Sequence, residues 1–195
     1  LKQAFSSGTI WRTAPFFVVD GAGLALRTAL FVAGAMALVG SAAKYGLVEA
    51  GASCFAIGLL VWRARHATPD PSLPRLRNNL LLLGFGWLML LLALKYVVLL
   101  PLFVAAYALG TPLVTMVKTG LSLKAMALPG ISTQDAMSSR MLLFCFGRML
   151  VLGISWLLTA SASAALSKGH LAILVGVALA LLPLEYYYAK RLHQT

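Results

Sequence analysis

Six apolar stretches occupy most of this chain and constrain its fold more than any other feature. They run over residues 24–43, 47–62, 79–94, 97–117, 141–166 and 171–188. Stretches of this length approach the roughly 20 residues that carry an α-helix across a bilayer. Hydrophobic residues make up 61% of the chain and charged residues 11%, whereas about a quarter of a soluble domain is charged. The sequence therefore predicts an all-α polytopic membrane protein with six transmembrane helices.

The 16 Lys and Arg residues are distributed unequally between the two ends of these stretches. One side holds Lys2, Arg12, Arg27, Arg63, Arg65, Arg75, Arg77, Lys118, Lys124, Arg140, Lys190 and Arg191. The opposite side holds Lys44, Lys95 and Lys168, and Arg148 lies inside an apolar stretch. Because basic segments stay on the cytoplasmic or matrix-like side, we expect three helical hairpins with both termini on that side.

The middle of the chain leaves two arrangements open. Residues 79–117 form either two helices divided at Lys95-Tyr96, or one long helix broken near Pro101 with a re-entrant piece ending at Pro112. A single crossing would put the next basic segment on the wrong side of the membrane. Two crossings are therefore favoured.

We expect residues 1–195 to form one transmembrane domain with three basic segments. Residues 1–19 would lie at the interface, and residues 63–78 and 118–140 would be inner loops. The net charge of +11 is better explained by anionic lipid than by nucleic acid, since no interleaving of basic and aromatic residues occurs. The residues predicted to bind lipid headgroups are Arg63, Arg65, Arg75, Arg77, Lys118 and Lys124.

A second set of candidates lies within the apolar stretches, where an ionisable group is costly and often functional. It comprises Arg148, Glu185, Ser155 and Thr159. Arg148 and Glu185 could form an ion or proton relay, hold a lipid phosphate, or pair to lock the last two helices together. Arg148 could also meet a partner subunit. The small and hydroxylated residues 159–165 suit close helix packing or a polar path.

Function is less constrained than topology. The sequence contains no recognisable catalytic constellation and no metal-ligand cluster, so we expect no cofactor and lean against an enzyme. The leading hypothesis is a non-catalytic subunit of a larger energy-converting complex in a bacterial or mitochondrial inner membrane. Its partners would be anionic lipids and other membrane subunits. The alternative is a small carrier or channel with a polar path near Arg148 and Glu185.

Overall fold

Six α-helices make up the described part of the chain, which a computed structural model defines for residues 8–66, 72–126, 133–160 and 168–193. No strand occurs within these ranges. A short 3₁₀ helix, Val97–Leu99, leads into the fourth α-helix. The α-helices are α1 (Gly8–Val39), α2 (Ala42–His66), α3 (Leu73–Ala93), α4 (Leu100–Met126), α5 (Thr133–Ala160) and α6 (Lys168–His193).

Five of these helices are long and apolar enough to cross a membrane. Their apolar parts are Trp11–Val39, Leu73–Ala93, Val97–Leu123, Gln134–Leu157 and Lys168–His193. The chain is therefore an integral multi-pass membrane protein, as its composition predicts. The remaining helix, α2, has 25 residues but stands outside this group of five, so the sixth crossing stays a prediction.

The middle of the chain folds as two helices. The α3 helix ends at Ala93, and the backbone N–H of Lys95 donates to the Leu92 carbonyl in a tight turn. Pro101 occupies the first turn of α4, where a missing N–H breaks no helical hydrogen bond. The α4 helix then continues without a break through Pro112 to Met126.

Several helices extend beyond the apolar stretches that predicted them. The α1 helix takes in residues 8–19 of the proposed interfacial segment, while residues 1–7 lie outside the described part. The α4 helix continues through Lys118 to Met126, and α5 begins at Thr133. Most of segments 63–78 and 118–140 is therefore helical, apart from residues 67–71 and 127–132, which are not described. Hydropathy alone ends an apolar stretch at a charged residue. The helix itself can continue past that residue when the charge has a partner inside the protein.

The packing does not follow chain order. The α3 and α4 helices lie along each other, whereas α5 packs chiefly on α1 and makes few contacts with α6. The α6 helix packs on α1 and α3, and α2 rests mainly on α4. One apolar cluster centres on Leu30, Trp87 and Phe103, and a second centres on Leu80 and Val114.

Glycines permit the closest helix approaches. A Cβ atom added at Gly21 of α1 would overlap the Phe144 carbonyl of α5, and one added at Gly147 would overlap the Val18 carbonyl. The two backbones therefore touch at this crossing, in the manner of small-residue helix pairs in membranes. Gly40 serves differently: its φ of +72° ends α1 in a left-handed conformation that favours glycine.

Candidate functional site: a buried charge network

Four charged side chains from three helices meet inside the bundle. The Arg27 Nη1 of α1 donates to Glu185 Oε1 at 3.2 Å and to Oε2 at 3.1 Å. The Lys118 Nζ of α4 lies 2.6 Å from Glu185 Oε2 and 2.9 Å from Asp20 Oδ1. The side chains of Arg27, Lys118 and Glu185 are at most 3% exposed, and that of Asp20 is 12% exposed. We call Asp20, Arg27, Lys118 and Glu185 the charge network.

The spacing of residues on α1 creates the room for this network. Asp20 and Arg27 are seven residues apart, which places them two turns apart on one side of the helix. Gly23 lies between them, and its missing side chain leaves space for the Glu185 carboxylate. A carboxylate from α6 can therefore approach the α1 backbone closely and reach both cations.

The network is electrically neutral and alternates in sign. Its order is Asp20, Lys118, Glu185, Arg27, so each of the inner two members contacts two opposite charges. Burying an isolated charge in a bilayer is expensive, and pairing with hydrogen bonding offsets that cost. The arrangement explains how Arg27 and Lys118 can lie within the apolar helices α1 and α4.

The chemistry of the charge network suits holding helices together better than conducting an ion. Both Glu185 oxygens accept hydrogen bonds or contact a cation, so a transported ion would have to displace an existing partner. The network joins α1, α4 and α6, which are distant in sequence. We therefore interpret it as a set of ion pairs that holds these three helices together.

Gly23→Ala is expected to destabilise the protein by about 1–3 kcal/mol, because the new methyl group would displace the Glu185 carboxylate from its charged partners. Denaturant titration of the purified protein in a mild detergent measures this. The control is Gly58→Ala in α2, where an added Cβ meets open space. That variant should be neutral or gain up to about 1 kcal/mol from better helix propensity. Equal effects of the two substitutions would contradict the spacing argument.

The other intramembrane candidates lie elsewhere. Glu185 contacts Arg27 and Lys118, so the hypothesis that it pairs with Arg148 is wrong. Arg148 is exposed on α5, and its guanidinium carbon lies 5.8 Å from the Phe144 ring centroid. Ser155 is half-buried on the same helix. The side chain of Thr159 and residues 161–165 of the small-residue stripe lie outside the described part.

The six predicted headgroup-binding residues differ in the exposure of their side chains. Arg65 and Arg77 are exposed, and Arg75 is half-buried. The side chains of Arg63 and Lys124 are not described. Lys118 cannot bind a surface headgroup as predicted, because its ammonium group is buried between Asp20 and Glu185.

A cavity of about 420 Å³ lies between α1, α2 and α4, beside the charge network. We call it the α1–α2–α4 cavity. Thr28, the neighbour of Arg27, and Thr115, one turn from Lys118, are among its lining residues. Phe31 stacks on Tyr107 in its wall, with ring centroids 4.2 Å apart. Sequence reasoning did not find this cavity, because its residues come from three separate helices and form no motif.

A second hollow of about 460 Å³ is an apolar groove between α3 and α6. Leu81, Phe85 and Leu182 line it, and Arg77 lies at one end. Gly84 faces the groove across from Leu182.

No known protein family, no curated protein and no solved structure matches the chain.

Proposed function

We propose that the chain is a non-catalytic integral subunit of a larger membrane assembly. The exposed surface of α5 is the observation that carries this proposal. Within the candidate spans, half of the most apolar window of α1 is buried by the rest of the chain, but only 11% of that of α5. Exposed residues cover most of the circumference of α5, and those that surround Arg148 share one helix face. We call this the α5 face, formed by Met141, Cys145, Arg148, Met149, Leu152 and Trp156.

The charge of Arg148 makes contact between this face and lipid unfavourable. Arg148 lies 8 residues from Arg140, which we assign to the basic side, and 9 from Leu157 at the other end of the apolar span, or roughly 12 Å and 14 Å along the helix. Both distances exceed the length of an arginine side chain. A charge at the centre of a membrane helix costs about 2.5–3.5 kcal/mol on insertion scales. A partner helix with a carboxylate at this depth would remove that cost.

The proposed topology has six crossings, three hairpins and both termini on the cytoplasmic or matrix-like side. Two contacts support the alternation of ends. The Lys168 Nζ donates to the Leu94 carbonyl at 3.2 Å, which brings two of the predicted outer turns together. At the opposite end, the Arg140 guanidinium lies 5.9 Å from the Phe17 ring centroid. We expect a bacterial or mitochondrial inner membrane and an energy-converting complex, with Arg65 and Arg77 facing anionic headgroups.

Arg148→Leu is expected to release the partner without unfolding the chain. Removing one side of a charge pair that is buried in an interface costs enough to reduce the recovered partner at least about tenfold. The measurement is affinity purification of the tagged chain from its native membrane in mild detergent, with the stoichiometry of every recovered protein determined. The thermal stability of the variant should match that of the wild type, because Arg148 is exposed in the single chain.

Arg191→Leu is the matched control, because Arg191 is also exposed but lies near the end of α6. It should recover the partner in wild-type amount. The subunit proposal fails if the native particle contains one copy of this chain alone. It fails equally if Arg148→Leu and the wild type recover the same partner in the same ratio.

A small carrier or channel is the second candidate, and the α1–α2–α4 cavity is the observation that favours it. The path would not be the one expected from the sequence, since Arg148 is exposed on α5 and Glu185 belongs to the charge network. Purified protein in liposomes distinguishes the two candidates. A carrier would move solute without any partner, whereas a subunit would not.

A further inference from the structure

The α1–α2–α4 cavity has a carboxylate in a polar part of its wall. Among the described residues that line it, Glu49 of α2 is the one acidic side chain, and none is Lys, Arg or His. Tyr45, one turn before Glu49 on α2, also lines the cavity. The other lining hydroxyl groups belong to Thr28, Ser53, Tyr107, Thr111 and Thr115. The nearby cations of the charge network are paired with Asp20 and Glu185, so the carboxylate and hydroxyl oxygens of the described lining favour a cation over an anion.

Aromatic rings form a second part of the wall. Phe31 and Tyr45 are tilted by 56° with centroids 6.4 Å apart, and Tyr107 stacks on Phe31. Aromatic faces attract organic cations through the negative charge above the ring, and clusters of such rings bind quaternary ammonium groups. The carboxylate and the rings therefore favour the same kind of ligand.

The rest of the lining is aliphatic, with Val32, Ala52, Ala56 and Met116 among its members. The volume of about 420 Å³ falls in the range of about 300–1,000 Å³ typical of small-molecule sites. A bare metal ion would leave this apolar surface unused. An ammonium group attached to a hydrocarbon body would match both the charged and the apolar parts.

We propose that the α1–α2–α4 cavity binds an organic ammonium ion, with its charge at Glu49 and its apolar body between the rings and the aliphatic side chains. The ligand is either a soluble amine or the ammonium headgroup of a lipid. The site lies within a single chain, so it does not depend on the proposed partner of α5.

Equilibrium dialysis with radiolabelled benzyltrimethylammonium tests the proposal. The full chain is placed in nanodiscs of an uncharged glycolipid, where no lipid competes with the probe. We expect saturable binding that excess unlabelled probe displaces. Benzyl alcohol, which has a similar ring and no charge, should fail to displace it at the same concentration. Absence of saturable binding, or equal displacement by benzyl alcohol, would overturn the proposal.

Variants at Glu49 isolate the charge. Glu49→Gln keeps the size of the side chain and removes its charge, so affinity should fall at least about tenfold. Glu49→Asp keeps the charge and should lose less. Because Glu49 is exposed, neither change should alter the thermal stability of the chain. Unchanged affinity in Glu49→Gln would contradict the assignment.

Variants at Tyr45 isolate the ring. Tyr45→Leu removes an aromatic face and should weaken binding by roughly threefold or more, whereas Tyr45→Phe keeps the ring and should bind like the wild type within about twofold. Equal affinities of the two variants would contradict the aromatic contribution.

Nanodiscs of phosphatidylcholine then identify the source of the ligand. Lower apparent affinity for the probe than in glycolipid indicates that the choline headgroup competes for the site. Equal affinity indicates a soluble amine. Both results require a working ammonium site, and both are independent of whether the affinity purification finds a partner.

Discussion

Glu185→Gln is expected to lower the free energy of unfolding by about 3–5 kcal/mol, the cost of breaking a buried ion pair from one side. The side chain is 1% exposed and contacts two cations. Lys118 would keep Asp20 as its partner, but Arg27 would remain buried and lose the acidic partner that it has among the described residues. Denaturant titration of the purified protein in mild detergent gives the free energy of unfolding.

Two further variants test whether the loss of stability comes from a buried charge that has no partner. In the double variant Arg27→Met with Glu185→Met, both members of one pair are removed together and the Lys118–Asp20 pair remains. This variant should be more stable than Glu185→Gln alone, because no buried charge is left unpaired. Glu49→Gln, a change of the same kind on the exposed surface of α2, should alter stability by no more than about 0.5 kcal/mol. A double variant that is as unstable as Glu185→Gln, or less stable, would show that the residues do not act as a pair.

Gly147→Leu is expected to destabilise the protein by about 3 kcal/mol or more, at or beyond the upper end of the usual range for overpacking. The atom that a side chain would meet is the backbone carbonyl of Val18, which cannot rotate away as a side chain can. The α1 and α5 helices would have to separate. Since α5 packs chiefly on α1, little else would hold it in place. The same titration measures the loss.

The matched control for this prediction is Gly153→Leu, two turns further along α5, where an added Cβ meets open space. It should be neutral or slightly stabilising, because leucine is a better helix former than glycine. Gly21→Leu should reproduce the loss from the other side of the crossing. Similar stabilities for Gly147→Leu and Gly153→Leu would mean that the backbone contact does not hold α5.

Sequence reasoning recovered the class of fold because hydropathy depends on local composition. The five apolar helices and the division of the middle segment at Lys95-Tyr96 follow from stretches that can be read one at a time. It assigned Arg27 and Lys118 to the basic residues of one membrane side, whereas the structure buries both in the charge network. Whether a charge ends a segment or lies inside it depends on partners that are 98 and 158 residues away. One local signal was present, the two-turn spacing of Asp20 and Arg27 around Gly23.

Arg148 and Arg27 illustrate the same difficulty in opposite ways. Each is a single arginine among apolar residues of a helix, and the sequence pattern singled out Arg148 but not Arg27 as an intramembrane charge. The structure buries Arg27 against Glu185 and leaves Arg148 exposed on α5. Only the first has a carboxylate partner among the described residues. Because of this contrast, we expect the α5 face to be the surface that contacts a partner subunit.

Photo-crosslinking from the α5 face tests the central claim most directly. A photoreactive amino acid replaces Met149, which is 74% exposed beside Arg148, or Leu81, which is 66% exposed on α3 and lines the apolar groove. After illumination of native membranes, Met149 should yield an adduct with one membrane protein, and Arg148→Leu should abolish that adduct. Leu81 should yield adducts with lipid. An α5 face that crosslinks to lipid alone, with and without Arg148, would contradict the assignment of this chain as a subunit.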